Sequence, residues 1–245
     1  MKKKLIFTGI ICTIMMVAIT MIINANSSFK PIEPSGSLNG LPVYYNHATY
    51  ALDTSTPEKA YGASKYVFIA KIDDILRTEY VNPVEIEVGI GKFDIVYDPI
   101  TVYSATVVKN IKGELTTSEP IEITQNGGIS KDGKSYIFME DSSLLKIGDY
   151  YIILTGANED GGSLDVTNPQ RIISFGNNLD LIKNVQQGKI STSMKEDKET
   201  AKLVDTIENF INAAEKEEKP VTLFENAAKV PVLDNVSKYD VNYKK

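Results

Sequence analysis

The chain has 245 residues, of which 42% are hydrophobic and 24% charged, a composition typical of a folded globular protein. Its net charge at neutral pH is −6, and its lysines are scattered among acidic residues. This pattern argues against nucleic-acid binding, which needs a concentrated basic face. The only cysteine, Cys12, lies near the N-terminus, so the rest of the chain offers neither a disulfide nor a thiol for metal binding or catalysis.

The N-terminus has the features of an export leader. Lys2 to Lys4 form a positively charged start, and residues 5–23 are a 19-residue stretch without a charge. A stretch of this length can cross a bilayer as a helix, and the lysines favour a cytoplasmic N-terminus. We therefore expect the remainder to lie outside the cytoplasm. The sequence leaves open whether residues 1–25 are a signal peptide cleaved near Ala25, giving a secreted protein, or an uncleaved membrane anchor.

The part that follows the leader is more acidic than the whole chain. It has 23 basic and 32 acidic residues and thus a net charge of −9. Because it contains no cysteine, it must be held together by its hydrophobic core, which about 220 residues can provide. An exported domain without disulfides is typical of a Gram-positive bacterium.

The first segment outside the membrane is predicted to be a spacer. Residues 26–56 are rich in Ser, Pro, Asn and Gly and have no sustained periodicity. A short helix is predicted from Pro57 to about Ala63, because Thr56 is a suitable N-cap and proline is favoured at the first helical position.

A series of strands follows this helix. Residues 65–75 alternate between two faces, one formed by Tyr66, Phe68, Ala70 and Ile72 and the other by Val67 and Ile69. Residues 83–97 predict a hairpin with its turn at Gly89-Ile90-Gly91. Further strands are predicted at residues 100–110, 121–125, 136–139, 149–155, 163–166 and 171–175. Many strands without intervening helices predict a mainly β domain over residues 57–176, an antiparallel barrel or a β-sandwich.

The composition changes after Gly176, where residues 177–219 predict a helical extension. A short helix is predicted at residues 179–185 and a longer amphipathic one at residues 195–219. The apolar stripe of the longer helix is formed by Val204, Ile207, Phe210 or Ile211, and Ala214. We expect this stripe to pack on the outside of the β domain, with docking onto a partner as the alternative. Residues 220–245 predict an extended tail.

Several stretches resemble a broad group of exported bacterial β domains without assigned function. They are Thr56-Pro57-Glu58, residues 63–72, residues 103–115, Gly127-Gly128 and residues 145–154, and the match covers roughly Pro57 to Gly176. Ile111-Lys112-Gly113 and the later Lys146-Ile147-Gly148-Asp149-Tyr150 also resemble the netrin-type domain shared with tissue inhibitors of metalloproteinases. This resemblance implies a five-stranded OB-like barrel. The inhibitors act through an N-terminal cysteine that this chain lacks, so their mechanism is not carried over.

Few residues are candidates for chemistry. His47 is the only histidine and lies in the predicted spacer, so it is interpreted as an exposed loop residue. Asp73 and Asp74 are neighbours on a predicted strand and point to opposite faces unless a bulge intervenes, which indicates a solvated strand end. Residues 158–165 carry several oxygen ligands without the spacing of a calcium loop and are interpreted as a hairpin turn.

The sequence thus predicts no catalytic, cofactor-binding or metal-binding residue. Its tyrosines are interpreted mostly as half-buried strand residues, some of which could form a binding face. The predicted function is non-enzymatic binding of a protein or a cell-envelope component at the bacterial cell surface. The alternatives are a cell-envelope enzyme that uses carboxylates and a protease-inhibitor-like module.

Overall fold

The computed structural model describes residues 33–47, 50–166, 172–187, 198–219, 222–223 and 235–243. The predicted leader, residues 1–25, lies outside the described residues, as does residue 220, where the predicted tail begins. In the described part of the chain, no helix is long and apolar enough to cross a membrane. The chain divides into two compact units, Met1–Ser35 and Gly36–Lys245, and all the described helices and strands belong to the second.

The described residues form nine strands and three α-helices. The strands are β1 (Gly36–Leu38), β2 (Leu41–Asn46), β3 (Tyr66–Gly89), β4 (Lys92–Lys112), β5 (Ile121–Ile129), β6 (Tyr136–Met139), β7 (Tyr150–Ala157), β8 (Leu164–Val166) and β9 (Ile172–Gly176). The helices are α1 (Pro57–Gly62), α2 (Leu179–Gln186) and α3 (Lys198–Ala213), and a short 3-10 helix (Ala214–Lys216) follows α3. With 49% strand and 16% helix, the protein is mainly β, as the sequence predicts.

The strands form one mixed sheet. Antiparallel pairings join β5 to β4, β4 to β3, β3 to β7 and β7 to β8, while β8 pairs in parallel with β5. A second parallel pairing joins β2 to β6, and β9 pairs antiparallel with β7. The prediction of a purely antiparallel arrangement is therefore replaced by a mixed one. Alternation shows which residues share a face of a strand, but it does not show which strands are neighbours.

The sheet begins earlier in the chain than the sequence indicates. β1 and β2 lie within the segment assigned to a spacer, where they form an antiparallel pair joined by a turn at Asn39-Gly40. Both turn residues have positive φ, 51° for Asn39 and 80° for Gly40. Asn and Gly adopt this conformation readily and are also common in linkers, so composition alone does not separate a tight turn from a spacer.

β3 has two buried faces, which confirms the alternation predicted for residues 66–72. Tyr66, Phe68, Ala70 and Ile72 belong to one hydrophobic cluster, together with residues of β4, β5, β7 and β8. Val67 and Ile69 belong to a second cluster, which lies between the strands and the helices. One face of β3 therefore packs against side chains of other strands, and its other face packs against the helices.

The helical layer packs as the sequence predicts. Val204, Ile207 and Phe210 of α3 are buried in the same cluster as Val67 and Leu154 of the strands. The next buried position of the stripe is Ala213 and not the predicted Ala214, which is exposed. The predicted start of α1 is also confirmed, because the Thr56 hydroxyl oxygen accepts a hydrogen bond from the Lys59 N–H at 3.3 Å.

The described part of the predicted tail contacts the end of the core at Tyr66. The Ser237 N–H donates to the Tyr66 hydroxyl at 3.1 Å, and this hydroxyl donates to the Asp240 carboxylate at 2.8 Å. The Thr116 N–H donates to the Tyr239 carbonyl at 2.8 Å. Residues 235–243 therefore complete the hydrogen bonding of a tyrosine that is fully buried.

Candidate functional site

β3 and β4 extend as a pair beyond their other neighbours in the sheet. In the described pairings, β3 meets β7 from Tyr66 to Lys71, and β4 meets β5 from Ile100 to Ala105. The ladder between β3 and β4 continues from the pair Tyr80–Pro99 to the pair Gly89–Lys92. Residues 80–99, called the arm below, are thus a two-stranded hairpin, and ten residues at 3.3 Å each make it about 30 Å long.

The end of the arm is the glycine turn predicted from the sequence. Gly89 pairs with Lys92, which leaves Ile90 and Gly91 as the two turn residues. Gly91 has a φ of +67°, which explains why glycine is needed there. Its N–H donates to a Glu87 carboxylate oxygen at 3.1 Å. The turn is therefore tight and held by its own strand.

Seven large apolar side chains of the arm are exposed to solvent. Their exposed fractions run from 38% for Ile86 to 97% for Ile90, and the set is Val84, Ile86, Val88, Ile90, Phe93, Ile95 and Val96. With roughly 150–200 Å² for a whole apolar side chain, they expose on the order of 700 Å² together. The largest apolar patch of a typical monomer is about 300–600 Å² and is often functional. Divided between the two faces and the turn, this exposure gives each face of the arm an apolar patch close to that range.

Both faces of the arm mix apolar and acidic side chains. On one face Val84 lies opposite Val96, and Ile86 lies opposite Asp94. On the other face Glu85 lies opposite Ile95, and Glu87 lies opposite Phe93. With four carboxylates, at positions 85, 87, 94 and 98, against the single Lys92, the arm has a net charge of −3.

The base of the arm is fixed by side-chain contacts. The rings of Tyr80 and Tyr97 meet edge to face with their centres 6.5 Å apart. The Lys131 ammonium lies 3.6 Å from the centre of the Tyr97 ring, a cation–π contact from the neighbouring loop. The Asn82 side-chain amide donates to the Asp98 carboxylate at 3.0 Å. These contacts set the direction in which the arm leaves the sheet.

The edges of the arm are poorly suited to pairing with another strand. The register of β3 shifts between Val81 and Val84, and again between Glu87 and Gly89. The first shift contains Asn82, which has a positive φ of 50°, and Pro83, which has no N–H to donate. Bulges, proline and acidic side chains are the features that prevent edge-to-edge association. Any contact made by the arm would therefore involve its side chains rather than its backbone edges.

A second candidate site is a cleft of about 300 Å³ beside the loop of residues 141–149. The buried Tyr103 hydroxyl accepts from the Leu145 N–H at 3.2 Å and donates to the Gln125 side-chain oxygen at 3.0 Å. The Gln125 side-chain amide donates in turn to the Ser143 carbonyl at 3.1 Å. These polar groups hold the loop against the sheet.

Tyr151 anchors the same loop. Its hydroxyl accepts from the Lys146 N–H at 2.9 Å, and burial raises its pKa above the ordinary value. Burial also raises the pKa of Tyr103, so both hydroxyls stay protonated at neutral pH. The lining contains Ser142, Ser143 and Ser174 but no histidine that could act as their base. These groups hold the loop in place, and the lining also contains the ionisable side chains of Asp141, Lys146 and Asp149.

His47 lies at the surface, as the sequence predicts, directly after β2. Its Nδ1 is 2.6 Å from a Glu140 carboxylate oxygen, and 80% of its side chain is exposed. At the surface this ring thus contacts the Glu140 carboxylate. Its position beside β6 shows that the segment before α1 belongs to the sheet.

Asp73 and Asp74 lie at a bulge in β3, and a bulge is the condition under which the two side chains could share one face of the strand. The register between β3 and β4 shifts between Ile72 and Asp74, so Asp73 has no partner opposite it on the strand. The Asp73 carboxylate accepts from Thr106 at 2.6 Å and from Lys71 at 3.4 Å. Asp74 accepts from the Ile75 N–H at 2.8 Å. Local hydrogen bonds thus involve both carboxylates, and the two residues lie within β3 rather than at the strand end predicted from the sequence.

Residues 158–163 connect β7 to β8 as a hairpin turn, and Asp165 lies in β8, in agreement with the interpretation of residues 158–165 from the sequence. The Asn158 amide donates to the Ser163 hydroxyl at 2.6 Å, and the Asp160 carboxylate accepts from the Gly162 N–H at 2.8 Å. These side-chain oxygens and amides stabilise the turn itself. Among the residues that the structure describes, no three His, Cys, Asp or Glu side chains are grouped so that they could hold a metal ion.

The tyrosines interpreted from the sequence as half-buried strand residues fall into three classes of exposure. Tyr45 is 39% exposed and its ring centre is 6.3 Å from that of Phe138. The buried ones are Tyr61, Tyr66, Tyr103 and Tyr151, and the half-buried ones are Tyr44, Tyr80, Tyr97, Tyr136 and Tyr150. Most are therefore structural, and those of the arm lie at its base.

The arm is the feature that the sequence analysis missed. Its turn is predicted, but the pattern of Val84 and Ile86 between glutamates is also that of a strand with one buried face. The signal in the sequence that could have indicated the arm is the presence of apolar residues on both strands and both faces of the predicted hairpin. No protein-family model matches the chain, and a search of the curated proteins finds no match.

Proposed function

We propose that this protein is a non-enzymatic binding domain of the bacterial cell surface and that the arm is its contact surface. The observation that carries the proposal is the arm itself, with on the order of 700 Å² of exposed apolar side chains on a two-stranded hairpin. A two-stranded hairpin without a covering layer is marginally stable in water. A partner that covers these side chains would gain hydrophobic free energy and would stabilise the arm as well.

The rest of the domain is proposed to be a scaffold of the OB-like barrel type. Support comes from the pairings, because β5, β4, β3, β7 and β8 each pair with the next and β8 pairs with β5. A closed set of pairings holds the roots of β3 and β4 in fixed positions. A rigid scaffold reduces the entropy lost when the arm binds.

The location outside the cytoplasm is proposed from the leader. Lys2 to Lys4 and the uncharged residues 5–23 support export, with the domain held at the membrane or released after Ala25. The acidic charge of the exported part supports a soluble surface protein that does not adhere to anionic lipid.

The experiment uses photo-crosslinking on intact cells that produce the chain. A photoreactive phenylalanine analogue replaces Phe93 on the arm in one variant and Ile147 in a control variant. The two positions are matched in exposure, at 60% and 56%. We expect a discrete crosslinked adduct from position 93 and none of the same mass from position 147.

A second set of variants removes the apolar side chains of the arm and keeps the hairpin. The triple variant Ile90→Ser, Phe93→Ser, Ile95→Ser is compared with the control variant Ile147→Ser, Leu179→Ser, whose residues match Phe93 and Ile95 in exposure. We expect the triple variant alone to lose the adduct formed from a photoreactive group at position 86. An adduct that survives in the triple variant, or equal adducts from positions 93 and 147, would contradict the proposal.

A further inference from the structure

We propose that the partner of the arm is a protein with an apolar cleft whose rim carries lysine or arginine side chains. This inference rests on the proposed function, since it names the chemistry of the partner that the arm binds. The charges of the arm, its apolar area and the bulges along its edges support this partner.

The acidic side chains of the arm form no ion pair in the described part of the chain. Glu87 accepts from the Gly91 N–H, Asp94 from the Ile95 N–H and Asp98 from the Asn82 amide. These donors are neutral. The ion pairs found among the described residues include none of these carboxylates and do not include Glu85.

The spacing of the charges matches a cleft that is apolar inside and basic at the rim. Glu85 and Glu87 are two residues apart on one strand and thus lie about 6.6 Å apart on one face. Phe93 and Ile95 lie opposite them on the same face. A partner that buries the two apolar side chains must place groups beside the two carboxylates. Cationic groups there avoid the cost of burying unpaired charge.

A lipid surface fits these observations less well. Insertion of Ile90 and Phe93 would bring Glu87 and Asp94, which lie within four residues of the turn, to the membrane surface. Bacterial membranes carry anionic lipids, and carboxylates are repelled there and costly to bury. The arm would need basic residues near its end, where it has only Lys92.

A second copy of this chain also fits less well. A second copy packed on one face of the arm would cover roughly 200–350 Å² of apolar side chain, whereas a cleft that encloses both faces and the turn can cover on the order of 700 Å². A symmetric contact would also place acidic faces against each other. Pairing edge to edge is opposed by the bulges and by Pro83.

The test uses the protein captured by crosslinking from position 93, identified and purified, and titrated with the full chain at several salt concentrations. Three variants are compared with the parent: Glu85→Gln, Glu87→Gln; Phe93→Ser, Ile95→Ser; and the control Glu119→Gln, Glu159→Gln. The two control glutamates are exposed and lie outside the arm. All the substituted side chains are exposed, so melting curves should agree with that of the parent.

We expect the Glu85 and Glu87 variant to bind about tenfold more weakly and to lose much of the salt dependence of the parent. The control should bind within about twofold of the parent. If this glutamate variant binds like the parent while the Phe93 and Ile95 variant fails to bind, the basic rim is refuted and the proposed function stands. If neither arm variant weakens binding, the proposed function fails.

Two further measurements test the other occupants. The full chain is mixed with phosphatidylglycerol vesicles, and its sedimentation is measured alone over a range of concentrations. Vesicle binding that requires Phe93 and Ile95, or a dimer that dissociates on their substitution, would overturn the inference. An absence of arm-dependent binding in both supports it.

Discussion

The glycine that ends β4 allows a direct test of how tightly the core is packed around Tyr66. Gly113 has a φ of +74°, and a Cβ added to it would lie 2.5 Å from the Tyr66 ring. The ring is fully buried and its hydroxyl is held by Ser237 and Asp240, so it cannot move aside freely. For Gly113→Ala the left-handed conformation costs about 1–2 kcal/mol and overpacking a further 1–3 kcal/mol.

Gly133→Ala is the matched control, because Gly133 has a φ of +71° and an added Cβ would meet nothing within 4 Å. It should lose about 1–2 kcal/mol, from the backbone term alone. Both variants are compared with the parent by urea unfolding followed by circular dichroism. The expected difference of about 1–3 kcal/mol is large against a typical stability of 5–15 kcal/mol. Equal losses in the two variants would refute the tight packing at Tyr66.

Three further predictions concern packing, ionisation and capping. Val204→Asp should lower the free energy of unfolding by several kcal/mol, because it removes a buried apolar side chain and buries a charge. The control Asn209→Asp, on the exposed side of the same helix, should change it by less than about 0.5 kcal/mol. Urea unfolding measures both variants, and equal midpoints would show that α3 is not packed. Burial raises the pKa of Tyr66 to about 12, so the contribution of its hydroxyl to stability is complete below its ordinary pKa of about 10 and is lost as pH rises towards about 12. The stability advantage of the parent over Tyr66→Phe should therefore shrink between about pH 10 and about pH 12. A constant difference over this range would contradict the raised pKa. Thr56→Ala should cost about 1 kcal/mol by removing the hydrogen bond to the Lys59 N–H, and Thr56→Ser should restore most of it, an expectation that fails if both variants melt alike.

Local structure could be predicted from the sequence because it depends on neighbouring residues. The N-cap at Thr56 and the turn at Ile90-Gly91 are set by the conformational preferences of a few residues. The two faces of β3 follow from the period of a strand. In each case the sequence contains the whole physical cause.

The order of the strands depends on distant contacts and could not be predicted in the same way. The parallel pairing of β5 with β8 joins Ile123 to Leu164, and no periodicity in the sequence records it. β3 was also predicted in two shorter pieces, a strand at residues 65–75 and the first strand of the hairpin at residues 83–97, with Asn82 and Pro83 at their junction. In the structure a bulge accommodates both residues and the strand continues.

The candidate site was only partly predictable for a related reason. The sequence predicts a hairpin at residues 83–97, but exposure is a property of the whole fold. Whether a layer covers Val84 or Phe93 depends on where the helices pack, and they cover β3 at Val67 and Ile69 instead. The same apolar residues would be ordinary core in a sheet covered along its full length.

The hydrogen bonds of Tyr66 have a consequence for the time at which the domain completes its fold. The Tyr66 hydroxyl and the Asp240 carboxylate that accepts its proton are 174 positions apart in the chain. At a synthesis rate of about 5–20 residues per second, roughly 10–35 s separate the appearance of the two residues. Throughout that interval the Tyr66 hydroxyl lacks its acceptor, and the Ser237 N–H that it accepts from is also missing. The hydrogen bonding of Tyr66 can therefore be completed only after residues 235–243 have been synthesised.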